Sequence, residues 1–275
     1  VKYDDLSYVQ KARVDTLFAS IKSGETDRFM TILESLKEIP RNEISDRYRD
    51  SVLPFAVKEY RPEVVEFLLN NGFSIQEAMV TTPAKRSVNC MFIARTPEML
   101  KVLVAHGGDV NSKDVQTSDD TLLQHLAGAD RMRLVQDVLA YGADVDAVNH
   151  RGQTAAHTAA QFSRPSMLKQ LIEYGADMNV RDQWGFTPLM YAVQVLGDSP
   201  NRSHGMEVVE LLAAQPGVDF AQKTNDGKSM IQLAKRNDPL KRLLRASKIT
   251  SGIDAAMTDK DKPSTSSVSH AGPSL

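Results

Sequence analysis

The run Gly152-Gln153-Thr154-Ala155-Ala156-His157-Thr158-Ala159-Ala160, followed closely by Leu171-Ile172-Glu173-Tyr174-Gly175-Ala176-Asp177-Met178-Asn179, decides the fold. In the first half, a Thr stands just before a run of small residues, as an N-cap before a short helix. In the second, a double apolar residue and then a glycine mark a helix closed by a left-handed residue, and the following Ala-Asp-Met-Asn is a turn. The pattern recurs. Gly72, Gly107, Gly142 and Gly175 follow one another at intervals of 35, 35 and 33 residues, and Gly217 comes after a further 42. The first half recurs as Gly185-Phe186-Thr187-Pro188-Leu189-Met190-Tyr191-Ala192-Val193, where Pro188 suits the first helical position.

A helix-turn-helix unit of this length, with Gly-x-Thr-Pro-Leu-His-x-Ala-Ala in its first half and Leu-Leu-x-x-Gly-Ala-Asp-Val-Asn in its second, resembles the ankyrin repeat. The match is close in the units beginning near Asn149 and Asp182 and weaker at Asn89-Cys90-Met91-Phe92-Ile93-Ala94, Thr121-Leu122-Leu123-Gln124-His125-Leu126-Ala127 and Ser51-Val52-Leu53-Pro54-Phe55-Ala56. The resemblance implies an all-α solenoid of about seven helix-turn-helix units with β-hairpin-like turns. Each unit buries its apolar faces only against its neighbours. A single array is expected over residues 1–247, with an N-terminal capping unit at about 10–40, central units at about 46–224 and a C-terminal capping unit at about 225–246. Residues 248–275, with nine Ser or Thr and no aromatic residue, have the composition of a disordered polar tail.

Composition narrows the function. The 275 residues are 41% hydrophobic and 25% charged, with a formal charge of −2, which supplies no field for phosphate contacts, so nucleic acid is not an expected partner. No apolar run is long enough to insert into a membrane. The single Cys90 forms no internal disulfide and fits a reducing, cytoplasmic setting. The chain starts at Val1 rather than Met, which points to a processed product or a fragment and leaves open an enzymatic domain upstream, for which this array would be a targeting module.

Within the chain no catalytic, cofactor or metal constellation emerges. Cys90 aligns with the Pro position of a first helix and His157 with the His of the repeat, so both read as packing residues. The six histidines include no pair at helical spacing, and Asp109, Asp144, Asp177 and Asp219 recur with the repeat as turn acceptors for local amides. The resemblance implies recognition of a protein or peptide, on the concave face and the hairpin tips. Trp184, the only tryptophan, falls at a predicted tip between Gln183 and Phe186. The preceding unit adds His150, Arg151, Gln153, Gln161 and Phe162, and the following one Asn225, Asp226 and Lys228. Aromatics at such positions dominate binding hot spots, the alternative for Trp184 being packing across adjacent hairpins. A second irregularity, Leu196 to Gly205, has the composition of an inserted loop. The expected protein is a monomeric, non-enzymatic adaptor. Degenerate repeats and a polar C-terminus are also similar to features of bacterial effectors delivered into host cells.

Overall fold

The computed structural model describes residues 3, 6–36, 51–75, 89–114, 119–199, 203–235 and 237–246. The expected polar tail, residues 248–275, lies outside them.

Helices alternate between two layers. The inner layer holds α1 (Tyr8–Ser23), α3 (Val52–Lys58), α5 (Cys90–Ile93), α7 (Leu122–Gly128), α9 (Ala155–Gln161), α11 (Pro188–Asp198) and α13 (Met230–Leu233). Each is followed by an outer partner: α2 (Thr26–Ser35), α4 (Pro62–Asn70), α6 (Pro97–Ala105), α8 (Met132–Ala140), α10 (Pro165–Glu173), α12 (Gly205–Ala213) and the helical residues 238–246. These pairs are units one to seven. Each inner helix packs on the next inner helix, and from α4 to α12 each outer helix packs on the next outer one, so one core runs the length of the stack.

Local chemistry sets the boundaries. Thr121, Thr154, Thr187 and Ser229 cap inner helices; the side chains of Thr121, Thr187 and Ser229 accept the amide three residues on, while the Thr154 hydroxyl bonds the His157 ring. Gly72, Gly107, Gly142, Gly175 and Gly217, just beyond the outer helices, are all left-handed, with φ between 76° and 86°. Asp109, Asp144, Asp177 and Asp219 each accept the amide two residues on, at 2.8, 3.0, 2.8 and 2.8 Å, which is the turn role expected of them. Ala155, Ala156, Ala159 and Ala160 are at most 1% exposed, letting α9 lie close to α7 and α11. Among the described residues, β1 (Lys113–Asp114) pairs antiparallel with β2 (Asp120–Thr121) and Lys223 bridges Ser229, both within turns.

One segment departs from the sequence reading. Residues 196–198, expected to open a loop, continue α11 to Asp198, making it longer than its inner neighbours. The reason is tertiary. Leu196 is buried, its carbonyl accepts from Asn237 Nδ2 at 3.3 Å, and a Cβ on Gly197 would stand 2.5 Å from the Leu233 carbonyl oxygen. The last unit therefore packs directly on the extra turn.

Candidate functional site

Three hairpin tips, preceding α9, α11 and α13, stand side by side. Each is built on a buried side chain three residues before a left-handed glycine: Asn149 before Gly152, Asp182 before Gly185 and Thr224 before Gly227. Asn149 Oδ1 accepts the amides of Arg151 and Gln153 at 2.9 and 3.0 Å, Asp182 Oδ1 those of Trp184 and Phe186 at 3.0 and 2.8 Å, and Thr224 Oγ1 that of Lys228 at 3.0 Å. Backbone bonds join one tip to the next. The Gln183 amide donates to the Arg151 carbonyl at 2.9 Å, and the Asn225 amide to the Trp184 carbonyl at 2.8 Å. Asn225 Nδ2 adds a bond to the Gln183 carbonyl at 2.9 Å, and Arg181 Nη2 reaches the Lys223 carbonyl at 2.9 Å.

Beneath the tips lies a polar network. Tyr191, on α11, donates its hydroxyl to Asp182 Oδ2 at 2.7 Å and accepts from Gln153 Nε2 at 2.7 Å. Burial and the adjacent Asp182 carboxylate raise the Tyr191 pKa above the usual phenol range, so the hydroxyl keeps its proton. His157 Nδ1 accepts from the Thr154 amide at 3.0 Å while Nε2 bonds the Phe186 carbonyl at 3.1 Å. Only the neutral ring protonated on Nε2 satisfies both contacts. In the preceding unit Gln124 does the same two jobs, accepting from the Thr121 amide at 2.7 Å and donating to the Gln153 carbonyl.

The His157 ring is buried, and desolvation lowers its pKa. The unfolded chain then takes up a proton near pH 6.5, where the folded array still refuses it, so stability falls as pH drops below about 6.5. His157→Gln, which copies the solution found at Gln124, is expected to keep neutral-pH stability and to flatten that acid-side decline. Thermal midpoints of both proteins between about pH 5 and 8 test this, and parallel curves would remove His157 as the cause.

The structure sorts the sequence candidates. Arg151, Gln183, Trp184 and Asn225 come together, all exposed, with Trp184 at 44%. Asp226 and Lys228 are exposed on the next tip and pair at 2.7 Å, and His150 is exposed beside Arg151. Gln153 and Phe186 are half-buried: the first serves Tyr191 and the Asn149 loop, and the second packs its ring 5.1 Å from that of Tyr191. Gln161 and Phe162 are exposed but lie at the far end of α9, about 10 Å down the helix from the tips, where the Phe162 ring covers Gly128. The sequence reading missed Asp182, Tyr191 and Arg181. Asp182 has a signal in the recurrence of Asn149, Asp182 and Thr224 at a fixed offset before glycine, whereas Tyr191 and Arg181 act across units and have none.

The Cys90 thiol is not an activated nucleophile. Cys90 is the first residue of α5, after its cap Asn89, and burial pushes its thiol up to about 12, so no thiolate forms near neutral pH. Among the described residues no group of three or more His, Cys, Asp or Glu is placed to hold a metal, and no helix is long and apolar enough to cross a membrane.

Comparison with known proteins decides what the stack is. A family model described as "Ankyrin repeats (3 copies)" matches residues 123–224. The chain carries ankyrin repeats. The ankyrin-repeat domain of Bcl-3, a member of the IkappaB protein family, superposes with a TM-score of 0.68 at 22% identity, covering 83% of this chain and 97% of that one. The human ASB11 ankyrin-repeat domain gives 0.65 at 20%, covering 84% and 96%. Both show that the all-α ankyrin solenoid extends well beyond residues 123–224. In sequence, the Neurogenic locus Notch protein of Drosophila melanogaster is 30% identical over 142 residues, which is 51% of this chain and 5% of that protein. A putative ankyrin repeat protein of Fowlpox virus is 28% identical over 153 residues, 53% of this chain and 44% of the viral one. The chain thus spans less than half the length of these relatives. Ankyrin arrays are typically non-catalytic modules for protein–protein interaction, and this chain shares their architecture.

Proposed function

We propose that the protein is a non-enzymatic scaffold that binds a folded protein or an extended peptide through its hairpin tips and concave face, with Trp184 as the anchor. One observation carries the reading. Trp184 has its amide fixed by Asp182 and its carbonyl by Asn225, yet the residue is 44% exposed and its indole makes no hydrogen bond among the described residues. A large aromatic on an immobilised backbone loses little entropy on binding, which is what an interface anchor requires. Arg151, Gln183, Asn225 and Lys228 surround it as a polar rim, while Phe162 belongs to a separate part of the face.

The test is capture from eukaryotic lysate by the intact chain and by a Trp184→Ala, Arg151→Ala variant. Both changes are at exposed side chains outside the Tyr191 network, so the variant is expected to keep its circular dichroism while losing a defined set of partners. An identical partner set would overturn the Trp184 site and move attention to Phe162 or to residues 196–205.

Finer readings accompany this one. A cytoplasmic setting is supported by the single, buried Cys90, and sedimentation decides whether the chain is the expected monomer. A targeting role within a longer protein is supported by the small share of the Notch relatives that the chain spans, and the full-length reading frame decides it. An effector delivered into a host cell rests on the degenerate units and the polar residues 248–275, and a translocation reporter with and without those residues decides that.

A further inference from the structure

The tips around Trp184 are basic, although the chain as a whole carries a formal charge of −2. Arg151 and Lys223 are exposed and form no ion pair among the described residues. Arg181 spends a guanidinium nitrogen on the Lys223 carbonyl, a neutral acceptor that leaves its charge uncompensated. Among the described residues no nearby carboxylate forms an ion pair with these three cations. Asp182 is buried under two amides and the Tyr191 hydroxyl, Asp226 is paired with Lys228, and Asp120 accepts from Asn149 Nδ2 at 2.7 Å.

These cations come from three consecutive tips tied edge to edge by backbone bonds, and Trp184 sits on the middle one. Successive units are about 8–10 Å apart, the usual distance between packed helices. A segment in the extended polyproline II conformation advances about 3.1 Å per residue with three residues per turn, so every third side chain lies on one face and meets a new unit. We propose that the tips of units five, six and seven form a docking strip for an acidic, extended segment of a partner protein. Carboxylates at about every third position would meet Arg151, Arg181 and Lys223, and an intervening apolar side chain would cover Trp184. This rests on the reading of the Trp184 patch as the partner site and adds the chemistry of the partner.

Trp184 is the only tryptophan in the chain, so its emission reports on this strip alone. The full chain is titrated with a synthetic peptide of about twelve residues carrying Glu at every third position and Leu between. Two controls are the same peptide with Lys for Glu and a single-stranded oligonucleotide of similar length. The expected result is a saturable blue shift with the Glu peptide only, weakened about tenfold or more by raising salt from about 0.05 to 0.5 M. Arg151→Glu with Lys223→Glu is expected to abolish the shift, and Arg151→Gln with Lys223→Gln to weaken it, with circular dichroism unchanged in both. Arg181 is left intact because it holds the neighbouring tip.

A shift of equal size with the Lys peptide, preferential binding of the oligonucleotide, affinity unchanged in the charge variants, or no shift with the Glu peptide at millimolar concentration would each overturn the proposal. If lysate capture still depends on Trp184 in those cases, the partner site stands and only its preference for acidic segments fails. If capture is also indifferent to Trp184, both readings fail together.

Discussion

Asp182→Ala is expected to destabilise the array by about 3 kcal/mol, and Asp182→Asn by no more than about 1 kcal/mol. The Asp182 carboxylate is 6% exposed and accepts from the Trp184 amide, the Phe186 amide and the Tyr191 hydroxyl. Alanine removes all three acceptors while the donors stay at the base of the tip, and each buried donor left without a partner costs about 1–3 kcal/mol. All three donors are only partly buried, which keeps each near the lower end of that range and the three together near about 3 kcal/mol. Asparagine retains Oδ1, and Asn149 shows one unit earlier that an amide oxygen serves the same pair of amides. Only the Tyr191 bond changes, and that hydroxyl can rotate to accept from the new Nδ2. Urea titration of the three proteins checks the difference, with Trp184 emission recording whether the tip loosens first. Equal losses for alanine and asparagine would mean that the amides find other acceptors and that the tip is not held from below.

The parts of this molecule that were readable from sequence are those fixed within one unit. The left-handed glycines, the Thr caps and the Asp turn acceptors each act over a few residues, so their spacing carries the helix pairs even where the repeat is degenerate. Trp184 was legible as an exposed tip for the same reason. What escaped depends on neighbours. The Gln153–Tyr191–Asp182 network joins residues 38 apart before it returns to its own tip, and the Arg181 contact to Lys223 spans 42. The extra turn of α11 escaped because Gly197-Asp198-Ser199-Pro200 has a loop composition, whereas burial of Leu196 against the last unit decides its structure. Gln124 is the instructive intermediate. It stands three residues after Thr121 as His157 stands three after Thr154, and the shared offset announces a shared role that the change of residue type conceals.

Gly185→Ala is expected to destabilise the array by at least about 2 kcal/mol more than Gly142→Ala. Both glycines are left-handed, with φ of 78° and 86°, so an alanine at either position costs about 1 kcal/mol of backbone strain. Their surroundings differ. A Cβ on Gly142 meets nothing within 4 Å, whereas one on Gly185 would collide with the Arg181 guanidinium and come within 2.5 Å of Asn225 Oδ1 and 3.0 Å of the Asn225 amide nitrogen. Arg181 can swing away, but the Asn225 amide is backbone, and it is the donor that joins this tip to Trp184. Relief of the clash therefore separates units six and seven at the tips. It breaks the Asn225–Trp184 bond, together with the Asn225 side-chain bond to the Gln183 carbonyl. In a solenoid such a loss falls on a nearest-neighbour interface rather than on one unit. The variant is thus expected to fray from the C-terminal end, with amide exchange rising first in α13 and residues 238–246 while α7 to α10 stay protected. Equal destabilisation by the two alanines, or exchange rising evenly along the stack, would show that the tips do not couple these units. The rigid placement of Trp184 would then need another source.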